Sequence, residues 1–291
     1  MKLADWLRLA RPRQWTKNLL LFAALLFSGQ LRSGQAWLAS LIAFAAYVLL
    51  SASVYALNDL RDAEADRRHP FKRHRPVAAG RISPVEAGLL SGVWAALGLA
   101  LAAWLGARSL GFAAAYLALS TLYTLWTKHQ VILDVMSLAA GFVLRAAAGA
   151  VALGVPISEW LLLCTSLLAL FLGLGKRRAE LAALPAGSRS ARRSLEHYSL
   201  PLLDQMISVV AAATLVAYAL YAFSSHPAER GPWMMLTIPY VLYGILRYFY
   251  LVHQKGLGAA PEQVLLSDRG LQWTVGLYVA TSAAILLLTH P

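Results

Sequence analysis

The sequence predicts an all-α, polytopic membrane protein with nine transmembrane helices around a central cavity. Two observations predict this class. Of the 291 residues, 59% are hydrophobic and only 14% are charged, and the mean hydropathy is +0.57. The apolar residues are also gathered into long segments, each about the length that crosses the hydrocarbon core of a bilayer. We expect a single integral membrane domain over 1–291, because no soluble domain or low-complexity tract interrupts the pattern.

The apolar segments follow one another with short polar loops between them. The predicted spans are residues 14–31, 36–57, 83–106, 109–127, 131–153, 158–175, 203–223, 232–252 and 271–289. The first is the least apolar, because it includes Lys17 and Asn18. A basic N-terminus before an apolar run resembles a signal peptide, but no small-x-small cleavage pattern follows. We therefore expect the first span to remain attached.

The basic residues are distributed unevenly between the two sides of the predicted bundle. Nine spans place the N-terminus and the loops 58–82, 128–130, 176–202 and 253–270 on one side, and these hold most of the lysines and arginines. The opposite side has Arg32, Arg108 and Arg230. The positive-inside rule makes the basic side cytoplasmic, in the plasma (cell inner) membrane, with Pro291 outside. Basic residues in membrane loops also explain the net charge of +12 without a nucleic-acid partner.

The loop after the second span begins with a cluster of polar residues. Asn58, Asp62 and Asp66 recur every four residues, and Asp59 precedes Asp62 by three, so a continuing helix would present all four on one face. Carboxylates this close to a membrane are costly unless a positive charge compensates them. Mg²⁺ prefers carboxylate and phosphate oxygens as ligands. We therefore predict that Asp59, Asp62 and Asp66 form a catalytic Mg²⁺ site that also binds a diphosphate.

A basic block follows this cluster within a few residues. Lys72, Arg73 and Arg75 are placed to hold the oxygens of the diphosphate, and Asn58 is expected to contact the substrate as well. The alternative is an ordinary solvated charged loop. The one-face spacing of the acids, and their start directly at the end of a span, favour the binding site. Glu64 lies off that face and is expected to be a spectator.

These residues carry a resemblance to a known family. The pattern Asn58-Asp59-x-x-Asp62-x-x-x-Asp66, followed by Lys72-Arg73-x-Arg75-Pro76 and Gly80, resembles the first aspartate motif of the UbiA superfamily of intramembrane prenyltransferases. The resemblance implies nine helices, with Mg²⁺ and a diphosphate between two aspartate motifs at a cavity that opens to the lipid.

The second motif of that superfamily differs in this chain. Aromatic prenyltransferases carry further aspartates between the sixth and seventh helices, whereas this loop contains Lys176-Arg177-Arg178-Ala179-Glu180. This variant, together with Gln14-Trp15-x-Lys17-Asn18, is similar to the decaprenyl-phosphate phosphoribosyltransferase branch. More cations and fewer carboxylates suit a ligand that carries more phosphate groups.

The resemblance to this branch implies a reaction. A 5-phosphoribosyl group would pass from phosphoribosyl diphosphate to a polyprenyl phosphate lipid, with release of diphosphate and with Mg²⁺ as cofactor. In members of the branch the product supplies cell-envelope glycan synthesis. Lys176, Arg177 and Glu180 would then contribute to substrate binding beside the first motif.

Three further residues are candidates for substrate binding, each with an ordinary structural alternative. Lys17 either faces the cavity or extends to the lipid headgroups. Arg145 lies in the middle of a span, where its charge needs a partner or a polar cavity, and the lipid phosphate would provide one. Tyr198 either donates to a phosphate oxygen or belongs to a helix cap.

Two other functions compete with phosphoribosyl transfer. The first is prenyl transfer from a polyprenyl diphosphate to an aromatic acceptor, against which the missing second set of aspartates counts. The second is transport of a lipid phosphate, for which we would expect broken helices or a repeat of the two halves, and neither is visible. The sequence leaves a homo-oligomer open.

Overall fold

The computed structural model describes residues 2–68, 72–184, 193–224 and 233–289, and this part of the chain is helical without a β-strand. The α-helices are α1 Lys2–Ala10, α2 Ala23–Phe27, α3 Gly34–Arg61, α4 Ala63–Arg68, α5 Pro84–Trp104, α6 Ala107–Leu125, α7 Leu133–Ala152, α8 Glu159–Ala182, α9 Leu200–Ser224, α10 Ile238–Gln254, α11 Pro261–Ser267 and α12 Arg269–Thr289. A long 3₁₀ helix, Pro12–Phe22, joins α1 to α2.

Seven helices in the described ranges are long and apolar enough to cross a membrane: α3, α5, α7, α8, α9, α12 and the helix Trp233–Gln254 that contains α10. Each coincides with a predicted span, so the all-helical, multi-pass prediction is confirmed. The count of nine is not confirmed. The predicted span 14–31 is a 3₁₀ helix followed by the five-residue α2, and 109–127 is α6, which carries Arg108 and several hydroxyl side chains.

The starts of the long helices are set by residues that cap their free N–H groups. Ser33, Ser83 and Ser158 each lie directly before α3, α5 or α8, and each hydroxyl accepts a hydrogen bond from the backbone N–H three residues on. Pro84 follows Ser83 at the first helical position, where its missing N–H costs nothing. These local signals fix where the polar loops meet the membrane-spanning segments.

Small residues let the 3₁₀ helix approach α7 closely. Gly149 lies in a buried run of alanines on α7, and a Cβ atom built on it would overlap the carbonyl oxygen of Leu21. Only glycine permits this separation of the two backbones. The contact positions the 3₁₀ helix, and with it Lys17 and the fully buried Asn18, inside the bundle.

One end of the bundle, called here the charged end, gathers the N-terminus and the loops that were predicted to share a side. Arg81 donates to Asp5 at 2.9 Å, which joins the first loop to α1. Further contacts bring the loop after α6, the segment after α8 and helix α11 to the same end. The charged end therefore carries the residues of both predicted motifs.

Candidate active site

Two carboxylates of the first motif are buried, Asp59 near the end of α3 and Asp66 in α4, whereas Asp62 is half-buried between the helices. The helix does not run through all of them as predicted: α3 ends at Arg61, Asp62 caps it, and α4 begins at Ala63. The interruption is slight, since the N–H of Asp62 still donates to Asn58 and that of Asp66 to Asp62. The four-residue periodicity is therefore kept in the backbone even though the helix is broken.

Asp59 and Asp66 share a single cation. Nη1 of Arg75 lies 3.2 Å from Oδ1 of Asp59 and 2.7 Å from Oδ2 of Asp66. Arg11 also donates to Oδ1 of Asp59. Both carboxylates are almost fully buried, so the two arginines supply the positive charge that burial requires.

Asp62 belongs to a separate ion pair. Nζ of Lys128 lies 3.0 Å and 3.2 Å from its two carboxylate oxygens, and this lysine is itself buried. The pair ties the first motif to the short turn between α6 and α7. The structure thus brings Asp59 and Asp66 together and turns the Asp62 carboxylate to another partner.

The acidic side chains of the charged end provide oxygen ligands of the kind that Mg²⁺ requires. In the described part of the chain, no three acidic, histidine or cysteine side chains form a group that could hold a metal by themselves. Asp59 and Asp66 nevertheless fit a magnesium ion completed by phosphate oxygens and water, since one cationic nitrogen already lies between their oxygens. The residues therefore fit a two-carboxylate site, and the predicted third ligand, Asp62, stays a prediction.

The second motif begins with a buried ion network on α8. Arg177 is fully buried, its Nε lies 2.7 Å from Oδ2 of Asp134 on α7, and its other nitrogens contact Glu180 and the hydroxyl of Tyr123. Arg177 is thus held by protein groups on three sides. Asp134, which lies at the start of α7, is also fully buried.

Tyr198 closes the same network. Its hydroxyl donates to Oδ1 of Asp134 at 3.1 Å and accepts from the N–H of Ile132 at 2.7 Å, and Ser194 adds a hydrogen bond to Asp134 at 3.3 Å. Burial raises the pKa of the Tyr198 phenol to about 12, so it stays protonated. Tyr198 thus contributes to the buried network around Asp134, and its role in phosphate binding stays a prediction.

Lys17 forms an ion pair with a residue of helix α11 at the charged end. Its Nζ lies 3.7 Å from Oε2 of Glu262, whose other oxygen accepts from Gln14 at 2.5 Å. Desolvation would raise the pKa of Glu262, but the Lys17 ammonium and the Gln14 amide outweigh it and lower that pKa, so the carboxylate is charged at neutral pH. Lys17 therefore has a protein partner at the charged end, and its role in substrate binding stays a prediction.

Arg145 lies deeper in the bundle and is bound by neutral groups. Nε donates to Asn18 at 2.8 Å, Nη1 to the carbonyl of Gly141 at 3.1 Å, and Nη2 to the hydroxyl of Tyr116 at 2.6 Å. The guanidinium also stacks over the rings of Tyr116 and Phe142. No carboxylate of the described ranges pairs with Arg145, and its contact with a lipid phosphate stays a prediction.

The remaining predicted residues are less enclosed. Arg73 is exposed, whereas Asn58, Lys72 and Lys176 are half-buried at the charged end. Lys176 follows Gly175 on α8, and its charge acts on both Lys17 and Glu262. Lys176, Lys17 and Glu262 therefore form one group of charges beside the first motif.

Four contributing residues were not predicted from sequence as part of the site: Arg11, Lys128, Asp134 and Glu262. Arg11, Lys128 and Asp134 lie near span ends, where charged residues are common, and Glu262 lies in the predicted loop 253–270. Each of the four pairs with a residue distant in the chain. One signal is visible only in the backbone. Arg11 and Ile132 have positive φ angles of 51° and 67°, which non-glycine residues adopt at a cost, and both lie at the charged end.

Comparisons with known proteins agree with this architecture. A decaprenyl-phosphate phosphoribosyltransferase of Mycolicibacterium smegmatis is 37% identical over 291 residues, which cover 96% of this chain and 91% of that protein. One of Corynebacterium glutamicum is 38% identical over 280 residues, 93% of this chain and 83% of that protein.

The fold also matches that of a solved structure. A UbiA homolog from Archaeoglobus fulgidus bound to GPP and Mg²⁺ superimposes with a TM-score of 0.72 at 20% identity, over 97% of this chain and 99% of that one. The model of the UbiA prenyltransferase family matches residues 19–267, which include both motifs. The chain therefore belongs to the UbiA prenyltransferase family.

Proposed function

We propose that this protein transfers a 5-phosphoribosyl group from phosphoribosyl diphosphate to a polyprenyl phosphate and releases diphosphate. The observation that carries the proposal is the composition of the charged end. Two buried carboxylates, Asp59 and Asp66, lie with Arg11 and Arg75, and the second motif on α8 supplies cations where other family members have aspartates. The names of the two bacterial relatives support the same reaction.

The proposed cofactor is magnesium. Asp59 and Asp66 would hold it together with oxygens of the donor, because a carboxylate pair and a diphosphate make a complete oxygen ligand set. When bound, magnesium would neutralise the negative charge that develops on the departing diphosphate. The Mg²⁺ in the solved A. fulgidus relative supports the choice of metal.

The basic residues of the chain would hold the phosphate groups. Lys72, Arg73 and Arg75 follow the carboxylates, Lys17 pairs with Glu262, and the charge of Lys176 acts on the same carboxylate. We propose the first group for the diphosphate and the lysine pair for the 5-phosphate. Placing ammonium and guanidinium groups before the reaction begins avoids the cost of reorganising water around the new charge.

The displacement itself requires little proton chemistry. An oxygen of the lipid phosphate forms a bond to the anomeric carbon, the bond from that carbon to the diphosphate oxygen breaks, and its electron pair leaves with the diphosphate. The attacking phosphate is already an anion at neutral pH, so no general base is needed. A single displacement inverts the anomeric centre.

The proposed location is the plasma membrane, with the charged end in the cytoplasm. The basic loops lie at that end, as the positive-inside rule requires of the cytoplasmic side. Phosphoribosyl diphosphate is a water-soluble, highly charged donor, so it would enter from the aqueous side. The polyprenyl phosphate would come from the bilayer.

The test is a transfer assay with purified protein, Mg²⁺, labelled phosphoribosyl diphosphate and a polyprenyl phosphate. We expect labelled lipid and free diphosphate in equal amounts. Asp66→Asn should lower the rate by about 100-fold or more, because a metal-held diphosphate is stabilised by several kcal/mol, and chelation of the metal should do the same.

The matched control is Glu64→Gln, in the same helix as Asp66. The Glu64 side chain is 82% exposed and pairs with Arg68 away from the site, so its loss should leave the rate unchanged. Full activity of Asp66→Asn, or transfer only from a prenyl diphosphate to an aromatic acceptor, would contradict the proposal.

A further inference from the structure

Two buried polar atoms near the lysine pair lack a hydrogen-bond partner within the described part of the chain. They are Oε2 of Glu262 and the hydroxyl of Tyr248. The Glu262 side chain is 7% exposed and Tyr248 is 4% exposed, so bulk water does not satisfy either. An unmade hydrogen bond of this kind is costly, particularly for a charged carboxylate.

The two atoms lie in the same part of the site. Gly258, in the segment just before Glu262, packs against the carbonyl oxygen of Gly175, and the Tyr248 phenol does not donate to the Glu262 carboxylate. Tyr248 packs against Gly175, where a Cβ atom would be 3.2 Å from the phenol oxygen, and Gly175 directly precedes Lys176. Both unpartnered atoms are therefore next to the residues proposed to hold the 5-phosphate.

The rest of Glu262 is held in place. Oε1 accepts from Gln14, and α11 contacts the N-terminal 3₁₀ helix that carries Lys17. Lys17 lies 3.7 Å from Oε2, which is close enough for charge attraction but too long for a hydrogen bond. One oxygen of a fixed carboxylate thus remains available as an acceptor.

A hydroxyl group is the ligand that complements this arrangement. It can donate its hydrogen to the carboxylate and accept one from the phenol at the same time. We infer that Glu262 and Tyr248 bind a ring hydroxyl of the ribosyl group and so select a sugar donor over a prenyl diphosphate, which has no hydroxyl to offer. This inference rests on the proposed phosphoribosyl transfer.

The test compares donors that differ by one hydroxyl. Phosphoribosyl diphosphate and its analogues lacking the 2- or the 3-hydroxyl would be assayed with the wild type, Glu262→Gln and Tyr248→Phe. With the full donor, we expect each substitution to lower kcat/KM by about tenfold or more, because each removes a hydrogen bond made in a buried site. With the analogue lacking the bound hydroxyl, variants and wild type should differ by less than about threefold.

Tyr250→Phe is the control, since this tyrosine lies on the same helix but is exposed. It should behave as the wild type with every donor, and the KM for polyprenyl phosphate should not change in any variant. If Glu262→Gln and Tyr248→Phe both lose the same activity with every donor, or both lose no activity, the inference is overturned and the proposed function stands. A wild-type protein that transfers no phosphoribosyl group would overturn the proposed function, and with it this inference.

Discussion

At the scale of single residues, Asp134 joins α7 to α8 and to the segment that follows α8. It receives the guanidinium of Arg177, the hydroxyl of Tyr198 and that of Ser194, and it has no contact with water. A buried ion pair adds little net stability, but removing one partner leaves the other charge exposed to an apolar interior. The Asp134 carboxylate therefore stabilises the buried positive charge of Arg177.

We predict that Asp134→Asn destabilises the protein by about 3–5 kcal/mol, because Arg177 loses the countercharge on its Nε. Thermal unfolding in detergent measures this. The double variant Asp134→Asn/Arg177→Met should recover much of the loss, since the buried guanidinium is removed and the Glu180 carboxylate that it also contacts is partly exposed. If the double variant is as unstable as the single one, packing and not charge explains the effect.

The individual residues also show how far a sequence can predict this site. The meeting of Asp59 and Asp66 can be predicted from their spacing of about two helical turns, because backbone hydrogen bonds continue through the break at Asp62. Arg11 could not be predicted, because its contact with Asp59 depends on how α1 folds back against α3. Spacing along one helix is visible in a sequence, whereas pairs between distant helices are not.

At the scale of elements, the N-terminal 3₁₀ helix is the part that departs most from expectation. Hydropathy predicted a membrane span over 14–31, but the segment folds as a 3₁₀ helix with Asn18 buried and its side chain bound to Arg145. The close approach of Gly149 on α7 fixes its position. Periodicity cannot predict this geometry, because it depends on a backbone contact between two segments.

We predict that Gly149→Ala destabilises the protein by about 1–3 kcal/mol, because the new methyl group overlaps the Leu21 carbonyl, which belongs to the backbone and cannot rotate away. Thermal unfolding again gives the measurement. Gly276→Ala on α12 is the matched control: nothing lies within 4 Å of its Cβ position, so it should be neutral or slightly stabilising. Equal melting temperatures for the two variants would contradict the packing argument.

At the scale of the whole molecule, contacts at the two ends of α3 show which segments run alongside it. Arg11 meets Asp59 at one end of α3, while the Trp37 indole near the other end donates to the carbonyl of Leu31. The segment between Arg11 and Leu31 therefore runs the length of α3. Nη2 of Arg61, the last residue of α3, lies 3.4 Å from the carbonyl oxygen of Leu125, the last residue of α6. The two helices therefore end beside each other.

The apolar segments of the sequence predicted nine spans, and seven of the described helices are long and apolar enough to cross a membrane. The other two segments carry polar side chains, such as Asn18 and Tyr116, that bind Arg145 inside the bundle. The distribution of basic residues is more informative, since it placed on one side the loops that the structure joins at the charged end.

We predict that the N-terminus and the C-terminus lie on opposite sides of the membrane, with the N-terminus in the cytoplasm. Alkaline phosphatase fused to the C-terminus should be active, and the same reporter fused within the basic loop after α4 should be inactive. An active loop fusion would show that the bundle has the opposite orientation.

The hydrogen bond between Gln14 and Glu262 joins residues 248 positions apart in the chain. During synthesis Gln14 is made long before Glu262, so Lys17 has no carboxylate partner at Glu262 until the ribosome has completed most of the chain. The group of charges around Glu262 is consequently completed late in biogenesis. We expect a product truncated before Glu262 to insert into the membrane without transferase activity.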